Sequence, residues 1–62
     1  MLKMIEVVGR SPKSYCEAVR SAVEGLAKAG EKPHFFTVTE HRGAYHDGQV
    51  EFQAVVKVAV EA

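Results

Sequence analysis

The chain has 62 residues, with eight Lys and Arg against eight Asp and Glu and a single cysteine. A chain this short buries only ~60% of the surface it exposes when unfolded, and below roughly 70–80 residues a core alone rarely supplies more than ~3–5 kcal/mol. Cys16 has no cysteine partner, which excludes an internal disulfide framework and any multi-cysteine zinc or iron–sulfur site, and the balanced charge offers no electrostatic footprint for nucleic acid or an anionic membrane.

Oligomerisation is the staple that is left. The apolar start, Met1 to Val8, is broken by Lys3 and Glu6 and falls far below the ~20 residues of a membrane span. No hydrophobic stretch followed by a small-residue cleavage site is present, so the expected location is cytoplasmic. No repeat, low-complexity tract or linker divides the chain, and residues 1–62 read as one domain.

In chain order, Lys3 to Val8 is rich in Ile and Val and reads as a short strand stopped by Gly9. Arg10 to Lys13 is a connection. Ser14 with Glu17 three residues on has the spacing of a helix capping box, and Ser11-Pro12 is a rival start with Pro at the first helical position. Beyond it Tyr15, Ala18, Val19, Ala22, Val23, Leu26 and Ala27 recur at helical spacing, with charged residues on the other side. The helix is closed by Gly30 and Pro33, and its Ala and Val stripe permits a close approach to whatever it covers. Gly25 inside it costs ~1 kcal/mol relative to Ala and has no explanation in the sequence.

His34 to Arg42 is β-branched and aromatic and alternates, with Phe36 and Val38 on one face and Phe35, Thr37, Thr39 and His41 on the other. Gly43 to Gly48 reads as a turn region with a hairpin signal at Asp47-Gly48. Gln49 to Glu61 is a long strand presenting Phe52, Ala54, Val56, Val58 and Val60 on one face and Gln53, Val55, Lys57 and Ala59 on the other. The order is β-α-β-β, an α+β fold. The last two strands pair as a hairpin, the first adds antiparallel to the last, and the helix crosses one face of the three-stranded sheet.

A helix from Ser14 to Ala29 is about 24 Å long at ~1.5 Å per residue, whereas the last strand reaches about 40 Å at ~3.3 Å per residue. The strand outruns its cover. Val58 and Val60 are expected beyond the helix, and Phe35, Val55 and Ala59 on the uncovered face need something else against them. Apolar exposure of that extent marks an interface, and partner subunits are the expected cover.

Three stretches, Glu6-Val7-Val8-Gly9-Arg10-Ser11-Pro12-Lys13-Ser14-Tyr15, Phe36-Thr37-Val38-Thr39-Glu40-His41-Arg42-Gly43 and Phe52-Gln53-Ala54-Val55-Val56-Lys57-Val58, together resemble the dodecins over nearly the whole chain. The resemblance implies a three-stranded antiparallel sheet half-wrapping one helix, twelve copies of which assemble as a hollow shell. It also implies a non-catalytic protein that stores or sequesters flavin, FMN or riboflavin, at its subunit interfaces. A family tryptophan that stacks on the flavin ring corresponds to Phe35, and the composition contains no Trp at all. A family glutamine that bonds the polar edge of the ring corresponds to Gln53, and Arg42 matches a position that is often basic and suited to a flavin phosphate. The missing indole keeps an alternative open, in which the same shell has lost flavin and serves structurally or binds calcium or another small ligand.

Other candidates carry less. Cys16 lies in the first helical turn, where the helix dipole favours a thiolate, but local spacing sets no base beside it. His41, His46 and Asp47 flank the hairpin turn and could approach one another as a metal site, but two His and an acid in a turn are weak evidence, since zinc sites supply at least three protein ligands at a defined geometry. The acids are scattered, with no calcium-binding loop. No nucleophile–base or paired-acid spacing points to an enzyme.

Overall fold

The computed structural model describes residues 1–62, and its elements follow the expected order: β1 (Leu2–Ser11), α1 (Tyr15–Lys28), β2 (Pro33–His46) and β3 (Gln49–Glu61). β3 is the central strand, antiparallel to β1 on one side and to β2 on the other. The helix begins at Ser14, whose Oγ accepts from the backbone N–H of Glu17 at 3.1 Å. Ser11 is not a rival start, because its own Oγ accepts from Lys13 N–H at 3.0 Å and shapes the connection. At the other end Gly30 takes a φ of 97°, with Gly30 N–H bonded to Ala27 O and Glu31 N–H to Leu26 O. These are the paired bonds of a Schellman cap, which satisfy carbonyls the helix leaves open.

Gly9 does not stop β1, which runs on to Ser11. Its role lies in packing: a Cβ there would sit 1.9 Å from Ala18 O and 2.9 Å from the Ala22 side chain. The absence of a side chain in the strand and the methyl groups of the helix let the two backbones meet. Ala18 and Ala22 join Ala54, Val56, Val58 and Val60 of β3 in the core, with Ile5, Val7, Val23 and Val38 packed around it.

Val58 and Val60 were expected beyond the helix, and they are fully buried. The physical reason is where α1 starts. β1 ends at Ser11, opposite Phe52, so a helix that begins at Tyr15 and doubles back over β1 lies above the C-terminal half of β3. The strand outruns its cover at the opposite end. β2 continues through Gly43 to His46, and only Asp47 and Gly48 form the turn, with φ of 49° and 78°, the positive values a two-residue type I′ hairpin requires. Above the tip there is no helix, and the cross-strand pair Tyr45 and Val50 is 71% and 49% exposed. Ala59 is also buried, contrary to expectation. It is a methyl group in the central strand between the larger register partners Met4 and Phe35.

The alternation in β2 breaks between Val38 and Glu40, where the register slips by one residue. A β-bulge places one extra residue against the partner strand and reverses face parity beyond it. Thr39 supplies the bulge and donates its hydroxyl to Val55 O at 3.1 Å, satisfying an acceptor at the disturbed ladder. His41 was expected on the Phe35 face; past the bulge it stands opposite Ala54, on the helix side.

Candidate functional site

The sheet face away from the helix is organised as rows across three strands. Met4, Ala59 and Phe35 form one row; Glu6, Lys57 and Thr37 the next; Arg10, Gln53 and Arg42 lie nearer the hairpin tip. Phe35 is 55% exposed. Unbroken alternation would have put Arg42 on the helix side, and the Thr39 bulge turns it onto the face that carries Phe35 and Gln53.

Arg42 Nε donates to Gln53 Oε1 at 2.8 Å, and Gln53 Nε2 donates to Glu51 Oε1 at 2.7 Å. The amide is thereby held in one orientation, oxygen toward the guanidinium and nitrogen toward the carboxylate. It keeps one N–H and one lone pair for a further partner. Such a donor and acceptor side by side match the imide edge of a fused-ring heterocycle. Glu51 was not singled out in the sequence; its i−2 spacing from Gln53 on a strand is the only signal, since it puts both side chains on one face.

Phe35 and Gln53 share the face but not one place on it. Phe35 stands opposite Ala59, six positions along β3 from Gln53, a separation of about 20 Å at ~3.3 Å per residue. That exceeds the length of a three-ring system. One planar ligand touching both residue types therefore takes the ring from one copy of the chain and the amide from another.

The remaining candidates do not converge. His41 packs edge-on against Tyr15, ring centroids 4.9 Å apart, and Tyr15 meets Phe52 at 5.0 Å, while His46 and Asp47 lie out at the hairpin tip. No group of three or more His, Cys, Asp or Glu side chains is placed to hold a metal ion. Cys16 is exposed on a groove of about 600 Å³ between α1 and β2, whose walls include Tyr15, Val19, Val23, Phe36 and Val38. The groove forms because the helix leans on β1 and β3 and only lightly on β2. His41 also lines it, yet no hydrogen bond joins it to Cys16. No helix is long and apolar enough to cross a membrane.

A single helix on one side of a three-stranded antiparallel sheet, with aromatic, amide and guanidinium groups spread on the other, defines a small β-α-β-β protein whose sheet face is open to a partner or ligand. The chain belongs to the dodecin family, whose profile matches residues 1–62. Among solved structures it is similar to dodecin from Streptomyces coelicolor, at 36% identity over 100% of this chain and 90% of that one, TM-score 0.90. It is similar also to a Thermus thermophilus dodecin variant carrying a Trp-to-Phe substitution, at 31% identity over 97% and 91% of the two chains, TM-score 0.86. The fold is shared with a calcium-chelating dodecin from Mycobacterium tuberculosis, at 22% identity over 100% and 90%, TM-score 0.89. No curated protein sequence matches the chain.

Proposed function

We propose that this protein is a non-catalytic flavin binder that holds FMN or riboflavin between copies of the chain in a homododecameric shell, in the manner implied by its family. Phe35 of one copy stacks on the isoalloxazine ring, and Gln53 of another bonds its polar edge. Arg42 orients the Gln53 amide and faces the ligand's anionic end. The observation that carries this reading is the Gln53 amide, fixed by Arg42 and Glu51 with one donor and one acceptor still free on an open face. A phenyl ring supplies a stacking surface worth roughly 0.5–1.5 kcal/mol beyond its area, less overlap than an indole gives to three fused rings. Storage or sequestration in the cytoplasm is the role that fits a binding protein of this kind.

Titration of riboflavin and FMN with the purified protein, followed by flavin fluorescence, is the test. Stacking is expected to quench the emission to a saturable end point, and full emission in excess protein overturns the reading. Native mass of the particle checks the twelvefold assembly. Calcium, which the M. tuberculosis relative chelates, finds no cluster of acids within one protomer here, so a calcium site would have to gather carboxylates from several copies. Calorimetry with calcium beside the flavin titration separates the two.

A further inference from the structure

The row containing Gln53 has a second flank. Arg10 of β1 stands directly opposite Gln53 in the register, as Arg42 of β2 does on the other side. Both guanidinium groups belong to the open face, their strands about 10 Å apart at twice the ~4.8 Å strand spacing. Arg42 is already drawn inward, its Nε bonded to Gln53 Oε1, which leaves its two terminal nitrogens free. Arg10 takes part in no side-chain hydrogen bond. The one close approach of a basic side chain to a carboxylate is that of His34 Nε2 to Glu61 Oε2 at 3.6 Å, so neither guanidinium is within 4 Å of a carboxylate, and Glu51 is engaged by Gln53 Nε2. In a chain of zero net charge, two unpaired arginines bracket the one amide that is oriented for a ligand.

We propose that Arg10 and Arg42 form a phosphate clamp across Gln53, and that Arg10 is a specificity-determining residue that selects phosphorylated over unphosphorylated flavin. This rests on the flavin reading given above. Planar guanidinium groups bind phosphate oxygens through paired, charge-assisted hydrogen bonds. The ligand geometry permits this: the ribityl chain leaves N10 of the central ring on the long flank it shares with N1 and the C2 carbonyl, so a ring held at its imide edge by Gln53 carries the terminal phosphate off to one flank of that row, where an arginine beside Gln53 can meet it. Riboflavin ends in a hydroxyl there and gains nothing from the second arginine.

The experiment compares FMN with riboflavin on the assembled protein, unaltered and with Arg10→Gln. The expected result is about a tenfold loss of FMN affinity, the order of one charge-assisted contact, with riboflavin affinity within about twofold of its original value. Riboflavin thereby checks that the variant still folds and assembles. In the unaltered protein, raising the salt concentration is expected to weaken FMN more than riboflavin, a readout that requires no substitution. Equal salt sensitivity of the two flavins, or unchanged FMN affinity in the variant, overturns the clamp while the flavin reading stands. Absence of quenching by either flavin in the unaltered protein overturns both.

Discussion

The two faces of the sheet solve different problems. On the helix side, Gly9, Ala18, Ala22, Ala54 and the valines of β3 are fitted to one another within a single copy, and the main-chain approach leaves no room for even a methyl group. On the open side, large apolar and charged groups alternate in rows, half-exposed and spaced too widely along the strand for one copy to gather them around one ligand. The first face specifies the fold and tolerates little. The second is left open by a single chain and holds the residues of the proposed ligand site.

The sharpest way to break this contrast is at Gly9. Gly9→Ala puts a carbon into the Ala18 carbonyl, an overpacking expected to cost about 3 kcal/mol or more, comparable with the whole core of a chain this size. Loss of the cooperative thermal transition in circular dichroism is the expected outcome; a normal melt would mean that the helix can ride away from β1 cheaply. Phe35→Ala and Phe35→Trp test the other face. The alanine variant is expected to keep its far-ultraviolet spectrum and lose flavin affinity about tenfold or more, and the tryptophan variant to gain by roughly 0.5–1.5 kcal/mol from the larger stacking surface, both read by fluorescence titration. If alanine abolishes folding instead, the open face is part of the fold.

Smaller effects sharpen the division. Ser14→Ala removes the helix cap and is expected to cost about 1 kcal/mol, visible as a lower midpoint in urea with flavin affinity unchanged. Gly25→Ala is expected to stabilise by about 0.5–1 kcal/mol, because a Cβ there meets nothing within 4 Å and the structure gives no reason for glycine. A destabilised Gly25→Ala variant would show that this turn of the helix packs against another copy.

Much of this was legible in the residues. The element order, the Ser14 start, the Gly30 stop and the Asp47-Gly48 turn all rest on local backbone chemistry, which a short window of sequence contains. What failed depended on relations between distant segments. The direction of the overhang follows from Ser11 standing opposite Phe52, and no local pattern fixes that register. The burial of Ala59 follows from its neighbours on two other strands. The Thr39 bulge is invisible because an extra β-branched residue in a β-branched run looks like more strand. Phe35, Gln53 and Arg42 were named through family resemblance; Glu51 could have been found from its i−2 spacing to Gln53 on the same strand, whereas Arg10 emerges only once β1 and β3 are aligned.

The bulge also makes β2 behave like a message read in pairs. Removing Thr39 alone would close the bulge and leave His41 and Arg42 on their present faces, because Val38, Glu40 and His41 would then alternate one-to-one against Val56, Val55 and Ala54. A single loss elsewhere in β2, with the bulge kept, would turn over everything beyond it. Losing two adjacent residues would preserve the sense of the message and merely shorten it. Length variation in β2 is therefore expected as single-residue losses at Thr39, which closing the bulge absorbs, and otherwise in even steps or at the hairpin tip, where no helix lies above to register an inversion.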